Sequence, residues 1–246
     1  MSFEAGVRSN PRAGDARSSD FRQPLDVIGR AYEPGFSRER ASTGPVSRFF
    51  GAVLELILPV LLLAALGVAS IAYGDRTAAL PGGAGPGWLT LGHLLLPLTF
   101  FAIHLTNRRY GAGHAFFQTM LAWALGLGVL WAMQGQLPVL LGRTLPDPHL
   151  TFAFGSALLI GQLFSVLVFD RTRGPRWWTA PLLATLAGGL LFCGIAFPGA
   201  YAGTEIHWAG RMLTYGGFFV AASVVLLLPY GLLRRVVPPQ SGFGGY

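Results

Sequence analysis

Beyond Arg48 the chain alternates between long apolar runs and short polar breaks, with runs at roughly 49–73, 88–106, 115–133, 150–169, 178–197 and 209–233. Each run is about 19–25 residues, enough to cross a hydrocarbon core of about 30 Å at about 1.5 Å rise per residue. Glycine- and proline-rich turns separate them, such as "GDRTAALPGGAGPG" (74–87) and "GRTLPDPH" (142–149). The pattern predicts an all-α membrane protein, a six-transmembrane-helix bundle. The third run is the least clean, because "LPVLL" (137–141) adds an apolar patch that reads as a re-entrant or interfacial piece.

Around this core the expected organisation is a polar extension over 1–48, the transmembrane domain over 49–235 and a short tail over 236–246. The extension holds eight arginines and six acids among scattered Pro, Gly and Ser, a composition that buries no core alone and predicts a disordered cytoplasmic segment. Within it, "PLDVIGRAYEPGF" (24–36) is richer in apolar residues and is a candidate docking segment. No cleavable signal peptide is expected, since the first apolar run lies too far from Met1 and is too long.

Charge orients the bundle. All eighteen basic residues are arginine. Eight fall in the extension, two in the turn around 106–114, three in the turn around 170–177, and Arg234 and Arg235 follow the last run. The other three turns hold only Arg76 and Arg143, with Arg211 just inside the sixth run. Such an excess marks the cytoplasmic side, so both termini are expected inside, in a bacterial inner membrane. Trp88, Trp131 and Trp208 fall at the expected outer boundary and Trp177 and Trp178 at the inner one, as an aromatic belt would.

Composition supports the same class: 52% of residues are apolar and 12% charged, about half the charge of a soluble domain. The formal charge of +7 does not indicate a nucleic-acid partner, because the arginines track the ends of apolar runs. The partner expected first is the lipid bilayer. Cys193, the single cysteine, lies in an apolar run and offers neither a disulfide nor a thiolate metal site. No Walker loop, metal triad or nucleophile–base pair is present, so no catalytic residue, metal or cofactor is expected.

Polar groups at bilayer depth are costly and draw attention. Glu55 lies in the first run, four residues before Pro59, and is a candidate partner contact. His93 and His104 share a face of the second run but stand about 16 Å apart along the axis, too far for one metal. Gln162 and Ser165, with Ser156 and Thr151, give the fourth run a polar seam, read either as interhelical bonding or as a substrate-lining face. "ATLAGGL" (184–190) and "YGGFFVAAS" (215–223) predict close packing between the fifth and sixth helices. The turn with Asp170, Arg171, Arg173 and Arg176 reads as a solvated anchor.

Three segments together resemble the six-helix vitamin uptake transporter family, whose characterised members carry queuosine precursors. They are "HLTNRRYG" (104–111), "ALLIGQLFSVLVFDRTRGPRWWTAPLLATL" (157–186), and "HW" (207–208) followed by Pro229-Tyr-Gly. The likeness covers roughly 90–235. It implies the six-helix fold and the movement of purine-like bases, with acidic side chains facing inward to accept the base's donors. This chain departs where those acids are expected. His104 stands in place of an aspartate, Ser165 in place of another, "AGGLLFCG" (187–194) replaces a polar stretch, and Tyr215 and Phe219 occupy an acidic and a basic position.

Two functions follow. One is a transporter of a small nucleobase-like or less polar solute, with His104, Gln162, Ser165 and Tyr215 lining its site. The other is a transport-inactive accessory subunit of a larger membrane complex or homo-oligomer, docked through the extension, apolar helix faces and Glu55.

Overall fold

The computed structural model describes residues 45–74, 76–78, 87–133, 136, 138–139 and 147–239. The extension as far as residue 44, the docking segment 24–36, most of the 137–141 patch and the tail from 240 onward lie outside the described residues. The chain divides into two units, Met1–Phe50 and Gly51–Tyr246, and every contact given below belongs to the second.

The described residues form helices and no sheet. In chain order these are α1 (Pro45–Ala72), α2 (Leu91–Tyr110), α3 (Ala112–Ala132), α4 (Pro148–Arg171), α5 (Thr179–Tyr201), α6 (Trp208–Val225) and α7 (Leu227–Leu233). Four spans are long and apolar enough to cross a membrane: α3, α4, α5 and the continuous stretch Trp208–Leu233 made by α6 and α7. α2 is less apolar because it carries two histidines, an asparagine and two arginines along with its leucines.

Local chemistry sets the ends. Thr90 caps α2 through a reciprocal pair of contacts with His93, and Asp147 caps α4 with Pro148 at its first position. A single residue, Gly111 at φ 87°, turns α2 into α3, in a backbone region that penalises any side chain. The break between α6 and α7 follows from Pro229, whose ring lacks an N–H for Val225 and crowds that carbonyl.

Packing follows membrane rules. Leu58, Phe152, Leu213 and Leu228 point outward, each more than 60% exposed, as lipid-facing side chains do. Inside, Phe100, Phe192, Phe197, Tyr215 and Phe219 form an aromatic core between α2, α5 and α6. A second cluster joins Val60 and Leu63 of α1 to Ile103, Ala122 and Val166. Phe169, Ala184 and Tyr230 form a third.

The expected close contact of α5 with α6 is present, with Gly189 against the Phe219 ring. The adjacent Gly188 serves a second neighbour. A Cβ on Gly188 would lie 2.5 Å from the Gly161 carbonyl oxygen, and one on Gly161 would lie 2.6 Å from that of Gly188. α4 and α5 therefore touch backbone to backbone, the closest approach open to two helices.

Gly188→Ala should cost about 1–3 kcal/mol by forcing these backbones apart, read as a lower melting temperature of the detergent-solubilised protein. Gly194→Ala is the control on the same helix, because a Cβ there meets nothing within 4 Å and should leave that temperature unchanged.

Candidate functional site

A cavity of about 230 Å³ lies between α1, α2, α3 and α4, with Tyr201 at the end of α5 contributing to its wall. Its lining is mostly apolar, including Leu63, Leu96, Phe154 and Leu158, with a few polar groups converging on it. That combination is the usual form of a small-molecule site, and its size is below the roughly 300 Å³ at which drug-sized pockets begin.

Gln162 is the central polar group, buried on α4 at the cavity wall. The Thr99 hydroxyl donates to the Leu96 carbonyl at 2.6 Å, so its oxygen can only accept from Gln162. The contact at 2.9 Å is therefore made by the Gln162 amide nitrogen. The amide oxygen takes part in none of the hydrogen bonds among the described residues, so Gln162 keeps an acceptor at the cavity wall.

His93 is the second group on the wall. The Thr90 backbone N–H approaches Nδ1 at 3.3 Å, and a backbone amide only donates. Nδ1 is thus bare, the ring proton sits on Nε2, and the Thr90 hydroxyl 2.7 Å from Nδ1 donates as well. Edge-on rings of Trp88, Phe154 and Tyr215 hold the imidazole at centroid distances of 5.9, 5.9 and 5.1 Å. Trp123 and Thr119 also line the cavity, but their donors are spent on the Gly155 and Ala115 carbonyls. Among the described residues no three His, Cys, Asp or Glu side chains converge as a metal ion would need.

Of the four residues expected to line a site, only Gln162 borders this cavity. Ser165 sits one turn along α4, buried against Gly188, and donates to the Gln162 carbonyl at 2.7 Å. His104 faces a neighbour: it is buried, stacks on Phe169 at 5.1 Å and meets the Thr185 hydroxyl of α5 at 3.0 Å. Thr185 gives its own proton to the Pro181 carbonyl, so His104 Nε2 is the donor in that pair and Nδ1 has no partner among the described residues. Tyr215 is fully buried and donates to the His93 carbonyl at 2.6 Å. That carbonyl is free because its regular helical partner is residue 97, a proline without an N–H. Glu55 lies exposed on α1. His93 and Thr99 are the residues that sequence reasoning undervalued. A proline four residues after His93 was the available signal that its carbonyl needed a partner.

The motifs at the arginine-rich end meet one another. Asn107 of α2 donates to the Val166 carbonyl at 3.2 Å, and its own carbonyl and amide oxygens accept from Arg173 at 2.6 and 2.5 Å. Arg173 also pairs with Asp170 at 3.1 Å and lies over the Phe169 ring. Burial pulls the Arg173 guanidinium below its ordinary pKa, and the Asp170 carboxylate pushes it back up. Arg108 donates to the Val237 carbonyl at 3.1 Å, and Arg234 stacks on Trp177 at 4.7 Å. Of the turn expected as a solvated anchor, Arg171 and Arg176 are exposed, whereas Arg173 folds back as a clasp that joins α4 to α2.

The chain is 33% identical over 166 residues to the queuosine precursor transporter of Escherichia coli strain K12, a match covering 60% of this chain and 74% of that protein. No family model matches the chain, and no solved structure matches it significantly.

Tyr215→Phe should cost about 1–2 kcal/mol by orphaning the buried His93 carbonyl. In a Pro97→Ala background the backbone N–H restored at position 97 can bond that carbonyl, so the cost of Tyr215→Phe should shrink to about a few tenths of a kcal/mol. Thermal unfolding of the two single variants and the double variant in detergent measures the coupling; equal costs in both backgrounds would refute it.

Proposed function

The chain belongs to the queuosine precursor transporter family, and from that membership we propose that it is a multi-pass carrier of a small nucleobase-like or less polar solute. The observation that carries this reading is the cavity bordered by Gln162. Its free amide oxygen accepts, its remaining amide N–H donates, and His93 Nε2–H donates from α2. Such a set matches the lactam and amine edges of a purine-like base, while Phe154 and the leucines take its flat faces. Ser165, Tyr215 and His104 act one layer behind: Ser165 fixes the Gln162 backbone, Tyr215 fixes that of His93, and His104 ties α2 to α5.

The bundle in this reading has six spans, with α1 and α2 joining the four most apolar ones. It sits in a bacterial inner membrane with both termini inside. The clasp supports that orientation, since it gathers Arg108, Arg173 and Arg234 near one end, where positive charge favours the cytoplasm.

Cells that depend on salvage should take up labelled pre-queuosine base through this protein. Gln162→Leu should lower that uptake about tenfold, the equivalent of one or two buried hydrogen bonds. His104→Ala should lower it less, by loosening the α2–α5 contact. No uptake from well-expressed protein, together with migration in a much larger assembly on native gels, would replace this reading with that of an accessory subunit.

Orientation has a direct readout because Cys193 is buried and is the only native cysteine. An impermeant maleimide applied to intact spheroplasts should label Thr204→Cys, in the α5–α6 turn, and leave Arg235→Cys unlabelled until the membrane is opened. The reverse pattern would invert the topology.

A further inference from the structure

We infer that the cavity selects an uncharged solute and rejects one bearing an ammonium group, an inference that rests on the carrier reading above. None of the described residues lining it is Asp or Glu, and its polar atoms belong to neutral groups: amide, imidazole, hydroxyl and indole. An ammonium entering this space would lose its hydration and find no counter-charge among the described lining residues, the most expensive way to bury a polar group. A neutral substituent such as a nitrile loses little hydration and can accept from His93 Nε2–H.

The cationic side chain beside the cavity deepens the bias. Arg211 lies over the Trp88 ring at 5.7 Å and over the Tyr201 ring at 5.4 Å. Tyr201 is itself part of the cavity wall, and the Trp88 ring meets the His93 ring at 5.9 Å. A guanidinium thus lies against one lining residue, Tyr201, and one aromatic ring away from a second, His93, where it repels a second cation. Asp147, one turn before the lining residue Leu150, does not offset it. Its carboxylate is exposed and accepts the His149 N–H at 2.7 Å.

The test uses two purine-like bases with the same ring system, one carrying a nitrile and the other a primary aminomethyl group that is an ammonium at neutral pH. Each competes with labelled pre-queuosine base for the full-length protein in proteoliposomes. The nitrile should compete better by on the order of a hundredfold, the scale set by placing one uncompensated charge at bilayer depth. Gln162→Glu, which installs a carboxylate with almost no change of shape, should narrow or reverse that preference. Equal or better competition by the aminomethyl base at the wild-type protein would overturn the inference while leaving the carrier reading intact. Absence of binding by either base would remove both. The wild-type comparison decides the matter even where the Gln162→Glu protein does not fold.

Discussion

Lipid offers no hydrogen bonds, so each polar group that this bundle buries must find its partner inside the protein. That constraint explains contacts that otherwise look unrelated. Pro97 removes the N–H that would have met the His93 carbonyl, and Tyr215 reaches from α6 to take its place. Gln118 of α3 donates to the carbonyl of another helix-interior proline, Pro59 of α1, at 2.9 Å. Ser70 of α1 donates to the Gly92 carbonyl at 3.0 Å. Thr99, Thr106, Thr119 and Thr185 each return a hydroxyl proton to a carbonyl of their own helix. With these donors spent, the groups that keep spare valence stand out. Gln162 and His93 are two of them, and they border the same cavity.

The cavity's position follows from how closely the helices can approach. Where α4 meets α5, glycine faces glycine and the backbones touch, leaving no space. Where α1 faces α2, α3 and α4, contact is made through side chains such as Val60, Leu63 and Gln118, and a void remains between them. The more closely packed half of the protein is thus the α4–α5–α6 side with its aromatic core. The site lies on the other side, where α1 is held by side-chain contacts and single hydrogen bonds.

On the carrier reading, selection of a solute at this cavity turns on charge before shape. The resemblance implies inward-facing acids, whereas here Ser165 and Tyr215 are absorbed into packing and His104 is turned toward α5. What is left is a neutral amide, a neutral imidazole and aromatic walls. These recognise hydrogen-bonding edges and offer a cation no counter-charge.

Hydropathy was enough to place α3, α4 and α5, because a bilayer demands about twenty apolar residues per crossing and tolerates few substitutes. The observed ends of α3, α4 and α5 fall within a few residues of those read from the pattern. Gly188 and Gly189 could be read as packing residues, since a stripe without side chains has little other use in a membrane helix. Which face each long polar side chain adopts was not legible, because a seam such as Gln162–Ser165 looks the same whether it lines a void or crosses to a neighbour. The tertiary structure decided that Gln162 borders the cavity while Ser165, three residues away, is pressed against Gly188. It also decided that Asn107 and Arg173, 66 residues apart in sequence, form a single clasp. Helix formation in lipid depends on local composition, whereas the partner of a buried polar atom depends on where every other helix has come to rest.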